Sequence, residues 1–303
     1  MNQLIDFHSH FFSRAFFEAL AEQSPHEGTV DRRVERVGKS LDLELPSRDH
    51  GEHLERWLAE LDTYGVAHLV SFASLPQEAG VVGEAAKASN GRITPFALVN
   101  PLAPEAPAGA AELFAQGFRG VLLFPAMHRF DPSGPEARAV YEQAAEQGAI
   151  VVVHCGMLQV KLRDLFGLPR PYDLSTANPL ALIPAANDFG QVRFVIPHFG
   201  AGFLRETLML ASMCENVYVD TSSSNGWVAT QAAKTSLVDV FERALGVLGP
   251  ERVLFGTDSS TFPRGWRHDL YMAQREALGA IGAPEEDRVR IFGGNARGLL
   301  GLD

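Results

Sequence analysis

Pro135-Glu-Ala-Arg-Ala-Val-Tyr-Glu-Gln-Ala-Ala-Glu-Gln-Gly-Ala-Ile-Val-Val-Val-His154 contains the unit from which the rest of the chain is built. Residues 135–147 read as a helix that stops at Gly148, a residue type suited to the left-handed turn that closes helices. Ile150-Val-Val-Val then reads as a β-strand, because β-branched apolar runs fit a pleated sheet. The strand ends on a histidine.

The same helix, turn and strand recur on both sides. Upstream, a helix over 53–64 carries Leu54, Trp57, Leu58 and Leu61 at helical spacing, stops at Gly65 and leads into Ala67-His-Leu-Val-Ser-Phe72. A helix over 81–89 leads through Asn90-Gly91 to Ile93-Thr-Pro-Phe-Ala-Leu-Val99, and one over 105–116 leads through Gly117 to Gly120-Val-Leu-Leu-Phe124. Downstream, helices over 178–189, 202–213 and 228–248 feed strands at 193–198, Val217-Tyr-Val-Asp220 and 253–256. Closing helices are expected over 267–280 and 285–300. With a first strand near the start, eight strand-like runs alternate with helices over about 250 residues, which predicts a closed (β/α)8 TIM barrel.

An open doubly wound sheet is the structural alternative. Against it, no Gly-x-Gly-x-x-Gly follows the first strand and no Gly-x-x-x-x-Gly-Lys-Ser/Thr loop occurs. Gly200-Ala-Gly202 reads as a tight turn, and no Gly-x-Ser-x-Gly elbow offers a serine nucleophile. Residues 11–50, after strand 1, mix Phe11, Phe12, Phe16 and Phe17 with charges and are too long for an ordinary connection. A lid, a binding loop or a small helical excursion is expected there, with a second long loop after strand 5.

The 303 residues are 46% hydrophobic and 21% charged, enough for a sizeable core, and read as a single domain over 1–303. A net charge of −11 and a pI near 5.4 argue against nucleic-acid or anionic-membrane partners, whose phosphates would repel the surface. Cys155 and Cys214 are too few for a disulfide framework. No apolar run reaches about 18 residues and no secretory leader is visible, so a cytoplasmic protein acting on a small molecule is expected. Homo-oligomerisation is left open.

Strand 1 is Asp6-Phe-His-Ser-His10. In a regular strand Asp6, His8 and His10 share one face, and the two imidazoles lie about 7 Å apart at the backbone, close enough to share a metal. His154, His198 and Asp258 end strands 5, 6 and 8, so five candidate groups converge on the strand C-terminal rim, where barrel chemistry is placed. His26, His50, His53, His68 and His268 do not share this placement and read as surface or packing residues.

With Phe255-Gly-Thr-Asp258 and the ending Gly294-Asn-Ala-Arg-Gly-Leu-Leu-Gly301, these motifs make nearly the whole chain resemble the amidohydrolase superfamily. It is most similar to the single-metal branch that includes aminocarboxymuconate-semialdehyde decarboxylase and related hydrolases. The resemblance implies that His8, His10, His154 and Asp258 bind one divalent metal, with His198 beside the bound water or substrate. Two-metal members bridge their ions with a modified lysine at the end of strand 4, where this chain reads Gly120-Val-Leu-Leu-Phe-Pro125. One metal is therefore expected, zinc first, with manganese the alternative because one donor is a carboxylate.

A bound divalent ion lowers the pKa of its water from about 15.7 to roughly 7 and polarises a carbonyl. Asp258 is then the expected general acid/base, His198 steadies developing negative charge, and Asp6 is expected to accept a hydrogen bond from a ligand imidazole. Lys161, Arg163 and Arg205 are candidate carboxylate contacts, because arginine grips a carboxylate with two parallel bonds. His128, and Trp227 in Ser222-Ser-Ser-Asn-Gly-Trp227, are further candidate pocket residues.

Two reactions fit. One is metal-dependent hydrolysis of a small amide, lactone or ester that carries a carboxylate, through metal-activated water. The other is nonhydrolytic decarboxylation of a carboxylated aromatic or dienyl compound. A metal-binding protein without catalysis fits least well, since three histidines and one aspartate leave a ligand position open.

Overall fold

The helix and strand units close into a ring. A computed structural model describes residues 4–222 and 226–302. Its eight strands are β1 (Leu4–His10), β2 (Val66–Ala73), β3 (Ile93–Leu98), β4 (Gly120–Leu123), β5 (Ile150–Val153), β6 (Arg193–Ile196), β7 (Val217–Asp220) and β8 (Val253–Leu254). They pair in parallel in chain order. The first and last are joined by Phe7 N–H to Phe255 O, Asp258 N–H to His8 O and His10 N–H to Ser259 O, each 2.8 Å. The fold is the expected (β/α)8 barrel. Among the described residues no helix is long and apolar enough to cross a membrane.

β8 is shorter than the expected run over 253–256. The Phe255 amide leaves the ladder for Ile291 O, and the next residues turn toward the barrel mouth. The closing helix is likewise broken: a π-turn at Arg290–Gly294 separates Glu285–Val289 from Asn295–Leu300. The helix expected over 178–189 becomes two short pieces, Pro179–Leu182 and Ile183–Asp188, preceded by a separate turn at Leu174–Ala177, since Pro179 and Pro184 have no N–H for a continuous ladder. The one expected over 228–248 starts only at Leu237, where Ser236 and Asp239 form a capping box.

Two apolar layers sandwich the strands. Inside the barrel, Ile5, Phe7, Phe72, Phe96, Leu122, Val152, Val195 and Leu254 pack on one another. The outer layer joins the alternate strand positions to the helices, as with Val121, Val151, Phe194, Val219 and Trp266.

The long segment after β1 is a helical excursion. Helices α1 (Arg14–Gln23) and α2 (Val30–Ser40) precede α3 (His50–Tyr64). Phe16, Phe17, Leu20, Val34 and Val37 pack with Leu162 and Phe166 of the loop after β5, so the two long insertions form one cap beside the barrel mouth. Phe12, at the left-handed φ of 41°, turns the chain into this cap, its ring stacked on His10 at 5.1 Å and on Phe16 at 4.1 Å. Each such ring pair contributes roughly 0.5–1.5 kcal/mol beyond its burial. The fully buried Glu78 accepts hydrogen bonds from Ser13 N–H (2.6 Å), at the entry to α1, and from Ser74 N–H (2.9 Å), just after β2.

Candidate metal centre and active-site cavity

The pairing of β1 with β2 slips between Asp6 and Ser9, and this bulge reorients the strand. Phe7 meets Phe96 at 5.8 Å and His8 meets Phe72 at 4.8 Å, so successive side chains both enter the barrel interior. Asp6 turns outward instead, where it accepts from Thr257 N–H (3.1 Å) and Trp266 Nε1–H (2.8 Å). This corrects the expected shared face: Asp6 meets the backbone amide of His8 (3.0 Å), not its ring. Burial pushes the Asp6 carboxyl up to about 6, against the hydrogen bonds it accepts.

The group that holds the His8 ring is Asp220, at the end of β7, which sequence reading passed over. Its Oδ2 accepts from His8 Nδ1 at 2.8 Å, while Oδ1 accepts the backbone N–H groups of His198 (3.1 Å) and Ser222 (3.0 Å). The Ser222 hydroxyl also donates to Asp220, so it can only accept from His198 Nδ1, 2.8 Å away. A signal was available in the sequence: Asp220 ends a strand just as His154 does.

His8 thus presents Nε2, 3.8 Å from Asp258 Oδ1. His10 presents its own Nε2 at 3.1 Å, with Nδ1 held by Ser74 Oγ at 2.7 Å. Donor atoms of His8, His10 and Asp258 all lie within 4.8 Å of one another. His198 stands 4.9 Å from His8, ring to ring, and His154 stands 5.1 Å from His198, outside that tight trio but in the same cavity. The buried Nδ1 of His154 has no hydrogen-bond partner among the described residues, a vacancy in its bonding that a cation or substrate would fill. His8 and His10, each with its Nδ1 anchored and its Nε2 turned toward the Asp258 carboxylate, make a donor set that fits a divalent cation.

Charge states match. Burial holds His10 and His198 below the usual histidine value and takes His154 down to about 3, so these rings are neutral at pH 7. Burial acts on His8 in the same direction, but Asp220 outweighs it and raises the ring. For Asp258, burial is outweighed by the surrounding histidines, His10 first, which keep it ionised.

Backbone geometry supports this placement. Asp258 and His198 adopt left-handed φ values of 60° and 56°, a strain found where side chains must be aimed. Gly256 allows β1 to approach: a Cβ there would sit 2.9 Å from that of His8 and 3.1 Å from that of Ser222. The buried Gln274 side chain clamps the ends of β7 and β8, donating to Thr221 O (3.0 Å) and Gly256 O (3.1 Å).

These groups form the floor of a cavity of about 410 Å³. Its walls are apolar, including Phe12, Phe16, Leu122, Phe124 and Leu158. Lys161 and Arg163 line it, as do Arg264 and Arg267 after β8, which were not foreseen. The other expected contacts do not line it. Arg205 is 83% exposed and paired with Glu206, because it leaves the helix outward. Trp227 is buried in the outer apolar layer. His128 does not line it either; burial, helped by the charge of Arg163, lowers it to about 4. Ser223, Ser224 and Asn225 of the Trp227 run lie outside the described residues.

A closed parallel barrel with histidine and aspartate side chains gathered at its C-terminal rim defines the class: a (β/α)8 barrel with a candidate metal site at the end where barrel enzymes place their chemistry. A sequence model of the amidohydrolase family matches residues 5–302, and the chain belongs to that family. None of the curated proteins matches it in sequence. Among solved structures it is similar to the 5-carboxyvanillate decarboxylase of Sphingomonas paucimobilis (14% identity, 100% of both chains, TM-score 0.66). The 5-carboxyvanillate decarboxylase of Novosphingobium aromaticivorans, complexed with manganese and a nitrobenzoic acid, is similar at 16% identity over 99% of this chain and 96% of that one (TM-score 0.64). A protein described as a probable 2-pyrone-4,6-dicarboxylic acid hydrolase from Acinetobacter baumannii, with citric acid bound, matches at 15% identity over 100% of both chains (TM-score 0.61). At these identities the likeness is one of fold.

Proposed function

We propose that the protein is a metal-dependent hydrolase of a small amide, lactone or ester that carries a carboxylate. The observation that carries this reading is the convergence of His8, His10 and Asp258 donor atoms within 4.8 Å, at the floor of a cavity that also holds His154 and His198. His8, His10, His154 and Asp258 would hold one divalent cation, zinc by its preference for imidazole with a single carboxylate, manganese second. The end of β4 offers Leu123, Phe124 and Pro125 and no lysine to bridge a second ion.

When bound, that cation supplies an acidified water and a polarised carbonyl. Asp258, ionised and 3.1 Å from His10, takes a proton from the nucleophile and returns it to the leaving group. His198 stays neutral; its Nδ1 proton is committed to Ser222, which leaves Nε2 free to orient the substrate. Lys161 and Arg163 hold the substrate carboxylate. The apolar walls exclude bulk water, which strengthens each of these contacts.

The wall of Phe12, Phe16 and Phe124 favours a second reading, nonhydrolytic decarboxylation of a carboxylated aromatic compound with Asp258 handling the proton at carbon. Product analysis in ¹⁸O-labelled water separates the two. Label in the product carboxylate supports hydrolysis, whereas carbon dioxide release with no label in the organic product assigns the lyase.

A further inference from the structure

His10 is held differently from His8. The His8 ring is fixed by Asp220, a carboxylate that can only accept a proton. The Nδ1 of His10 meets a serine hydroxyl instead, Ser74 Oγ at 2.7 Å, which can donate or accept and can rotate away. Its aim therefore depends on the backbone of residue 74. Ser74 is the first residue beyond β2 and lies past the last ladder pair with β3, Ala73 with Ala97, so the sheet does not hold its amide. Glu78 does, accepting Ser74 N–H at 2.9 Å.

The same carboxylate reaches the cap. Its other oxygen accepts Ser13 N–H at 2.6 Å, at the entry to α1, where the Ser13 side chain makes no capping bond. The residues beside these two amides touch both His10 and the cap. The Phe12 ring stacks on the His10 ring and on Phe16 of α1, and Leu75 packs into the apolar cluster of α1 and α2. Glu78 is fully buried and, among the described residues, has no ion-pair partner. Burying such a carboxyl is costly, yet only a carboxylate offers two acceptor oxygens to two converging amides. It stands where the cap entry and the support of His10 meet.

We propose that Glu78 is a positioning residue for the candidate metal centre: by tying the amides of Ser13 and Ser74 to one carboxylate, it sets the Ser74 hydroxyl against His10 and links the α1–α2 cap to that ring. Metal binding at His10 and order in the cap then reinforce each other, since each fixes a segment that the other needs, and the coupling is equal in both directions. This rests on the metal centre proposed above and adds the element that joins it to the cap.

The test compares wild type, Glu78→Gln, Ser74→Ala and the double variant. Zinc affinity is read by competition with a chromophoric chelator, and order in α1 by amide hydrogen exchange with and without zinc. Gln keeps the size of the side chain but has one acceptor oxygen, and it turns N–H donors toward the other amide. Glu78→Gln should bind zinc about tenfold more weakly and Ser74→Ala about 10- to 100-fold more weakly. The double variant should bind no more weakly than Ser74→Ala, because Glu78 acts through that hydroxyl. In wild type, zinc should slow α1 exchange about tenfold, a response lost in both single variants. Unchanged affinity in Glu78→Gln, fully additive losses, or α1 exchange that ignores zinc in wild type would each overturn the coupling. Ser74→Ala leaves both Glu78 bonds in place, so it decides the matter even where Glu78→Gln fails to fold: unchanged affinity there overturns the proposal as well.

The ring nitrogen resonances of His10 in the metal-free protein are a signature that a merely structural role does not move. They should shift in Glu78→Gln while those of His8, held by Asp220, stay in place. A wild type that binds no zinc removes the metal centre itself, and these resonances then judge the positioning alone. Unshifted His10 signals remove that too.

Discussion

Asp220 Oδ2 accepts a hydrogen bond from His8 Nδ1 at 2.8 Å, and through Oδ1 the same carboxylate holds the backbone of His198 and Ser222. One side chain on β7 therefore orients a candidate ligand on β1 and the strained turn after β6. Asp220→Ala should weaken zinc or manganese affinity about 10- to 100-fold, the usual effect of removing the partner of a ligating imidazole. Competition with a chromophoric chelator measures this, and an unchanged affinity would show that His8 is aimed by packing alone.

Asp258 is assigned proton transfer as well as ligation. Asp258→Asn should retain the fold, seen as an unaltered circular dichroism spectrum, and lose turnover by more than about a hundredfold, within the range for general acid/base groups. Activity within about tenfold of the wild type would remove the role. His8→Ala should instead purify with little metal, and full occupancy by elemental analysis would exclude His8 as a ligand.

Gly256 is required by close approach and not by backbone conformation. Gly256→Ala places a methyl 2.9 Å from the His8 Cβ and 3.1 Å from that of Ser222. Overpacking of this kind destabilises by about 1–3 kcal/mol. The expected outcome is a lower melting temperature together with weaker metal binding; a variant with wild-type melting would mean that β1 yields without strain.

Glu78 ties the entry of α1 to the strand end that supports His10, with no ion-pair partner among the described residues. Burial raises its carboxyl from the ordinary 4.5 to about 7, and the hydrogen bonds from Ser74 and Ser13 only partly oppose this. The folded state then binds the proton more tightly than the unfolded chain does. Its contribution to stability is complete below about pH 4.5 and is lost as pH rises to about 7. Glu78→Gln, isosteric with the protonated acid, should gain stability relative to wild type over that window, by up to roughly 3 kcal/mol at about 1.36 kcal/mol per pKa unit. Urea denaturation at pH 4.5 and 8 measures the difference, and a constant offset between the two proteins would rule out titration of Glu78.

The alternation of helix and strand, the glycine stops and the strand-end donors His8, His10, His154, His198 and Asp258 were legible in the sequence, because each is written in local periodicity and in the residue that interrupts it. Where a proline pair or a capping box overrode that periodicity, at 178–189 and 228–236, element boundaries moved. Only the tertiary structure decided that Asp6 faces outward, that Asp220 holds the His8 ring, that Arg264 reaches the mouth and that Arg205 and Trp227 do not. The physical reason is the same in each case. Alternation along a strand reports direction only while the pleat is regular, and the slip between Asp6 and Ser9 exists only in register with β2. Which way a loop cation points is likewise set by packing against segments far away in sequence, such as the turn at Leu41 and Leu43, and no local pattern encodes that.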